Sequence, residues 1–290
     1  MTPSVGQPDN LYKEFPPRWR NQLIPTSSRA AALAGLSTYT AIRPLGLLVR
    51  NLSWLAVSLF GPAILPARSR PLDVPMGSAV LGDLVATLGQ EVGSFDEVSV
   101  HRQRGDGRTG FALLLLKAGD PRAFVKLRRT DQDDALQRER DAIRTVTAFG
   151  PRQFKVPGFI GFGELQDWSF LALEPFAPAI HRTPSNPPIE MICVEIASAL
   201  SRMPRPVSTP LHWLPMHGDF TPWNLRQLRQ QLTLFDWEHV GWGPPGSDAA
   251  LYQLTSHQLH LKTSHAMAID DDARRYWLDQ GRIRNKDYSE

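Results

Sequence analysis

The strongest constraint on this chain lies between residues 217 and 238. His217-Gly218-Asp219-Phe220-Thr221-Pro222-Trp223-Asn224 is followed by Leu232-Thr233-Leu234-Phe235 and then Asp236-Trp237-Glu238. An acid stands two residues after a His, an Asn five residues after that acid, and a second acid twelve residues further on. Transfer of a phosphoryl group from a nucleotide asks for these residue types. One carboxylate orients a hydroxyl, while an amide oxygen and another carboxylate hold Mg²⁺. Asp219 is the candidate base, since a base must lie within hydrogen-bond reach of the proton it takes. Asn224 and Asp236 are the candidate metal ligands, because Mg²⁺ prefers hard oxygen donors. His217 reads as a brace for the loop, and Pro222 and Trp223 as stiffeners of its turn. Residues 232–235 read as a short buried strand that delivers Asp236, and Glu238 stands where it can reach a second metal or steady the first.

Taken singly, a His-x-Asp in a loop or an Asp at a strand end is ordinary turn or cap chemistry. The joint spacing is what is specific, and motif and context must agree. On these residues the chain resembles the aminoglycoside phosphotransferase and choline kinase group, small-molecule relatives of the protein kinases. The resemblance implies an α+β fold of two lobes. An antiparallel sheet would form the nucleotide-binding lobe and a mostly helical lobe would carry catalysis, with ATP and Mg²⁺ as cofactors. It covers roughly residues 95–255 and divides the chain into a basic and apolar N-terminal extension (1–75), a nucleotide-binding lobe (76–175) and a catalytic lobe (176–290) that is shorter than usual.

Upstream, Phe95–His101 alternates as a strand does, and then comes a Gly-x-Gly-x-x-Gly pattern at Gly105, Gly107 and Gly110. The apolar run Phe111–Leu116 after it reads as a strand. That is the wrong continuation for a dinucleotide-binding turn, which opens a helix, and it suits a hairpin folded over phosphates. An ordinary hairpin turn remains the alternative. Ala123–Leu127 returns as a strand carrying Lys126, the candidate phosphate-gripping lysine. A helix follows, with Asp131 placed to cap it and Gly150-Pro151 to end it. Glu139 falls on the apolar stripe of that helix, where an unpartnered carboxylate costs free energy. Kinase architecture offers Lys126 as its partner, and a solvated Glu at the edge of the stripe is the alternative. Phe159–Gly163 and Trp168–Glu174 read as two more strands, Ser78–Leu88 as a short helix and Ile189–Met203 as a core helix. The resemblance implies that Glu174-Pro175-Phe176 links the lobes and offers backbone groups to adenine. It also places an Asp near position 248 that steadies the catalytic loop; a helix cap is the local reading of Asp248.

Charge is uneven. Residues 1–70 carry eight Lys/Arg against two acids, while the remaining 220 carry 24 against 27. The uncharged run from Asn51 to Ala67 is 17 residues long, short of the ~20 that a spanning helix needs. With Arg43, Arg50, Arg68 and Arg70 around it and Trp54 inside it, residues 29–70 suit a helix lying at a membrane interface; packing on the lobes or on a partner protein are the alternatives. The single cysteine, Cys193, excludes an internal disulfide and fits a reducing, cytoplasmic setting. No cationic start leads into an apolar core at the N-terminus, so no secretory signal is expected.

The expected activity is therefore ATP- and Mg²⁺-dependent phosphorylation of a hydroxyl on a small molecule, with a sugar or lipid-linked glycan as the favoured acceptor and no nucleic acid as partner. A polycationic drug acceptor would want an acidic pocket, and Asp270-Asp271-Asp272 is the only acidic run in the C-terminal part. The alternative is a catalytically weak, kinase-like binding module recruited through its N-terminal segment.

Overall fold

The structure is a computed structural model that describes residues 11–16, 21–39, 44–66, 69–102, 110–180, 183–258 and 269–283. It is α+β and divides into two compact units. The first comprises Met1–Leu136 and Gly158–Ile180, the second Gln137–Pro157 and His181–Glu290.

In the first unit, in chain order, stand strands β1 (Tyr12–Phe15) and β2 (Gln22–Pro25), helices α1 (Arg29–Ser37) and α2 (Pro44–Phe60), strand β3 (Ser69–Arg70), helix α3 (Gly77–Val92) and strands β4 (Glu97–Arg102), β5 (Phe111–Lys117) and β6 (Asp120–Arg129). Helix α4 (Asp134–Phe149) leads into the second unit, and strands β7 (Phe159–Leu165) and β8 (Trp168–Leu173) return to the first. Eight strands make one sheet in the order β3-β1-β2-β4-β5-β6-β8-β7, with every pair antiparallel. The apolar runs explain its centre, since Phe111–Leu116 is buried on both faces.

One face packs on Val80, Leu81, Leu84, Val85 and Leu88 of α3, against Val98, Val100, Leu113, Leu115, Val125 and Phe170. Helix α3 is longer than the sequence suggests and runs through Gly82; five buried apolar side chains outweigh the ~1 kcal/mol that a helical glycine costs. On the other face α1 sits close. Ala31 and Ala34 meet Leu114 and Leu116, and a Cβ at Gly119 would stand 2.6 Å from that of Ala30. An alanine-rich helix is the kind that can approach a sheet this nearly.

In the N-terminal stretch, the described strands lie in the same unit and the same sheet as the strands that follow. Strands β1 and β2 are rows of the sheet, with Leu23 opposite Val100 and Gln22 opposite His101. Buried hydrogen bonds fasten the seam. Ser99 donates to the Leu23 carbonyl at 2.9 Å. The Gln22 amide donates to Thr38 Oγ1 at 3.1 Å and to His101 Nδ1 at 3.2 Å. Burial pulls the His101 pKa down to about 4, so this imidazole is a neutral acceptor. The start is Pro-rich and its strands have four residues each, too short for alternation to announce them. Two of the anchors expected of an interfacial helix turn inward, while Arg70 is exposed and Arg43 and Arg68 lie outside the described residues. Arg50 is buried, with Nε and Nη2 on Asn51 Oδ1, and Trp54 packs with Phe15, Ile24, Leu36 and Val57. Among the described residues no helix is long and apolar enough to cross a membrane.

The second unit holds most of α4, helix α5 (Ile189–Ala199), strand β9 (Leu214–Met216), the hairpin β10 (Leu225–Leu228) and β11 (Gln231–Leu234), strand β12 (Gly241–Gly243) and helices α6 (Ser247–Gln258) and α7 (Asp271–Asp279). Its core joins Met216 to Leu251 and Leu254 of α6 and to Ala273 and Trp277 of α7. The Trp277 indole donates to the Ser247 carbonyl at 2.7 Å. Helix α4 begins at Asp134, after a 3-10 turn over Thr130–Gln132 that takes up Asp131, the expected cap. Helix α5 ends at Ala199, short of Met203.

Deleting residues 1–70 strips three strands from the sheet and bares the edge of β4. Buried Tyr12, Phe15, Leu23 and Ile24 contribute about 1.5–3 kcal/mol each, against a total of ~5–15 kcal/mol for a domain. The expected outcome is aggregation and loss of cooperative melting by circular dichroism. A detachable extension would leave the melting temperature unchanged.

Candidate active site

The hairpin β10–β11 brings the ends of the motif together. Leu225 pairs with Leu234, and the Phe235 N–H donates to the Asn224 carbonyl at 3.0 Å. Asn224 and Asp236 therefore leave the same end of one hairpin. A third segment steadies it: Lys155 donates to Leu232 and accepts from Leu234, both at 2.9 Å.

The loop from His217 to Asn224 is fastened at both ends. Asp248, in the first turn of α6, takes the His217 N–H on Oδ2 at 2.7 Å and the Gly218 N–H on Oδ1 at 3.1 Å. Burial raises its pKa to about 6, the two N–H groups draw it back, and Asp219 pushes it further up. His217 is fully buried. Its Nε2 lies 2.8 Å from the Phe235 carbonyl and its Nδ1 accepts the Asp219 N–H at 3.2 Å. Because a carbonyl only accepts, the ring is the neutral tautomer with its proton on Nε2. The imidazole thus ties the loop to the end of β11, and Trp237 lies against it at 4.5 Å between ring centroids.

Gly218 has φ +77°, and a Cβ there would overlap the His239 carbonyl oxygen. No other residue type fits between His217 and Asp219. Asp236 also has a left-handed backbone, at φ 64°, a conformation uncommon outside glycine and concentrated at functional sites.

Asp219 is buried. Asn224 Nδ2 donates to its carbonyl and to its Oδ2, both at 2.9 Å. This engages the amide nitrogen and leaves the Asn224 oxygen for another partner. Arg282, which follows α7, sits with Nη1 3.4 Å from Asp219 Oδ1. Burial lifts the Asp219 carboxyl above the ordinary carboxylate range, Arg282 pulls it down, Asp236 pushes it up, and His239 and the Asn224 hydrogen bond pull it down again.

Beside this pair, ligand oxygens of Glu139, Asp236 and Glu238 lie within 4.8 Å of one another. Glu139 and Glu238 are buried and Asp236 is half-buried. The Glu238 carbonyl accepts from Arg138 Nε at 3.2 Å, which ties α4 to the turn after the hairpin. Three carboxylates this close repel one another, so a divalent cation with oxygen preference fits the donor set.

The sequence-predicted residues thus fall into two groups. His217, Asp219, Asn224, Asp236, Glu238 and Glu139 gather in the second unit. Lys126 is half-buried on β6, in register between Ala112 and Leu171, in the first unit. Gly110 is buried at the start of β5. The Glu174 N–H donates to the Gly158 carbonyl at 2.7 Å, and Phe176 is half-buried just after it. Gly105 and Gly107 lie outside the described residues. Sequence reasoning missed Arg282, 63 residues from Asp219, and it did not foresee that Glu139 stands beside Asp236 and Glu238. No local pattern marks either.

Residues 181–259, which span the loop, the hairpin and α6, match the model of the phosphotransferase enzyme family. No curated protein matches the chain in sequence. Among solved structures it is similar to a Haemophilus somnus protein described as a fructosamine-3-kinase (13% identity, 70% of this chain and 83% of that one, TM-score 0.43). It is also similar to the ternary complex of the aminoglycoside phosphotransferase APH(2″)-IIa with streptomycin and ATP (11%, 72% and 93%, 0.43). A third is a choline/ethanolamine kinase family protein from Mesorhizobium loti (14%, 69% and 76%, 0.33).

Two outcomes follow from the loop. Gly218→Ala must take up a left-handed backbone and move His239, at a cost of roughly 2–4 kcal/mol; a melting temperature lowered by several degrees checks it. Asp219 has its carboxyl raised in the fold, so the native state holds the extra proton and this group favours folding at low pH. That contribution is lost as pH rises through the raised value. Asp219→Asn in metal-free protein should therefore melt at or above wild type at neutral pH, with the gain shrinking towards pH ~4.

Proposed function

We propose that this protein is a phosphotransferase that uses ATP and Mg²⁺ to phosphorylate a hydroxyl group of a small molecule. The observation that carries the reading is the single loop and hairpin that puts Asp219, Asn224 and Asp236 side by side, with the Asn224 amide nitrogen engaged by Asp219. Asp219 accepts or orients the acceptor's hydroxyl proton. A carboxylate whose pKa is raised by burial is the better base near neutral pH, and Arg282 keeps it ionised. Asn224 and Asp236, with Glu238 and Glu139 beside them, would hold Mg²⁺, which when bound would neutralise the charge of the transferring phosphoryl group. His217 and Asp248 do no chemistry; they keep the loop in place. Lys126 and the turn ending at Gly110 would grip the phosphates, and the backbone at Glu174 to Phe176 would receive the base.

The groups around Asp219 bear on the acceptor. Arg282 touches the base and acts electrostatically on Tyr276, and Tyr276 meets Trp213 edge-on at 5.4 Å. A guanidinium beside the base suits a neutral or anionic hydroxyl compound, such as a sugar or a lipid-linked glycan. With Arg50 and Trp54 turned inward, membrane contact through the described part of residues 29–70 rests on the exposed apolar strip of α2 and on Arg70.

Thermal unfolding with and without ATP and Mg²⁺, followed by turnover on a panel of hydroxyl acceptors, tests the reading. ATP with Mg²⁺ should raise the melting temperature, and Asp219→Asn should keep that shift while losing at least ~100-fold in turnover. Asp236→Asn should lose the Mg²⁺-dependent part of the shift. An unchanged melting temperature in wild type sinks the proposal; binding without turnover, equal in Asp219→Asn, points to a kinase-like binding module.

A further inference from the structure

Helix α2 is apolar on two sides. Its inner side carries Val57, Leu47 and Trp54 into the core with Phe15, Ile24 and Leu36. Its outer side carries Leu45, Leu48, Leu52, Leu55 and Leu59, each 52–71% exposed, flanked by Val49 and Phe60 and continued by Ile64. Those five leucines follow steps of three, four, three and four residues. This is the a/d spacing of helices that pack along a seam on one another.

The strip's eight apolar side chains are 36–71% exposed, a surface comparable with the ~800 Å² that one partner gives to a standard interface. No Lys, Arg, Asp or Glu falls between Asn51 and Pro66, so two copies of the strip meet without like charges opposed. Three of the cations nearby have partners within the fold, while Arg43 and Arg68 lie outside the described residues. Arg50 is buried on Asn51, Lys13 Nζ donates to the Ala63 and Leu65 carbonyls at 2.8 and 2.6 Å, and Arg70 pairs with Glu14 at 3.3 Å. An interfacial membrane helix wants cations beside its apolar face; a helix–helix seam does not.

We propose that the outer face of α2 is a homodimer interface, in which the leucine seam packs on the same seam of a second copy about a two-fold axis near Leu52. An isologous contact of this kind puts each residue opposite its symmetry mate or a near neighbour. The proposal stands apart from the kinase reading, because every residue in it lies in the sheet unit.

Light scattering on the full-length protein, across micromolar concentrations, should return twice the chain mass. Leu52→Glu with Leu55→Glu should halve that mass and leave the melting temperature within about 2 °C, since both side chains are exposed. If the glutamates prevent folding, Leu52→Ser with Leu55→Ser replaces them. Independently, Leu52→Cys in a Cys193→Ser background should form a disulfide-linked dimer on mild oxidation, with Ser53→Cys as the off-seam control. A monomer at every concentration overturns the proposal, as does a dimer indifferent to the seam substitutions. So does a monomer that sediments with phosphatidylcholine vesicles and loses this on Leu52→Glu, which would assign the strip to lipid.

Discussion

The buried carboxylate of Asp248 is the contact on which the site depends. Its two oxygens hold the consecutive N–H groups of His217 and Gly218, and charge-assisted bonds of this kind contribute about 1.5–3 kcal/mol each. Burial of the acid opposes them, as its raised pKa records. Once the two amides are held, Gly218 can take its left-handed turn, the His217 ring can reach Phe235, and Asp219 is delivered beside Asn224. Asp248 itself sits in the first turn of α6, where the helix dipole favours negative charge. A helix start, a loop and a hairpin are thereby joined through one side chain.

What they enclose is electrostatically costly. Asp236 acts on Asp219 and Asp219 on Asp248, and Glu139 and Glu238 stand against Asp236. Arg282 and the Asn224 amide offset part of this repulsion. A fold selected only for stability would not gather five acids in one place. A cluster of carboxylates makes chemical sense for a site that receives a divalent cation.

Burial sorts the N-terminal part of the chain. Its short strands finish the sheet, α1 lies close on one face of that sheet, and α2 lies over α1. Among the described residues the inner side of α2 is covered and its outer leucines are exposed, which leaves a second apolar surface outside the core.

Much of the site was legible because it is local. His217, Asp219, Asn224, Asp236 and Glu238 lie within 22 residues, and a loop followed by a tight hairpin can bring them together in few ways. The central strands were legible for the same reason, since runs such as Phe111–Leu116 have little alternative to burial in a sheet. Other features belong to tertiary structure alone: Arg282 on Asp219, Glu139 beside Asp236 rather than merely on a stripe, and β2 paired with β4 across 76 residues. Nothing in the neighbouring residues encodes such pairings. Spacing along the chain determines which groups share a turn or a face; the packing of distant apolar faces decides which turns and faces meet.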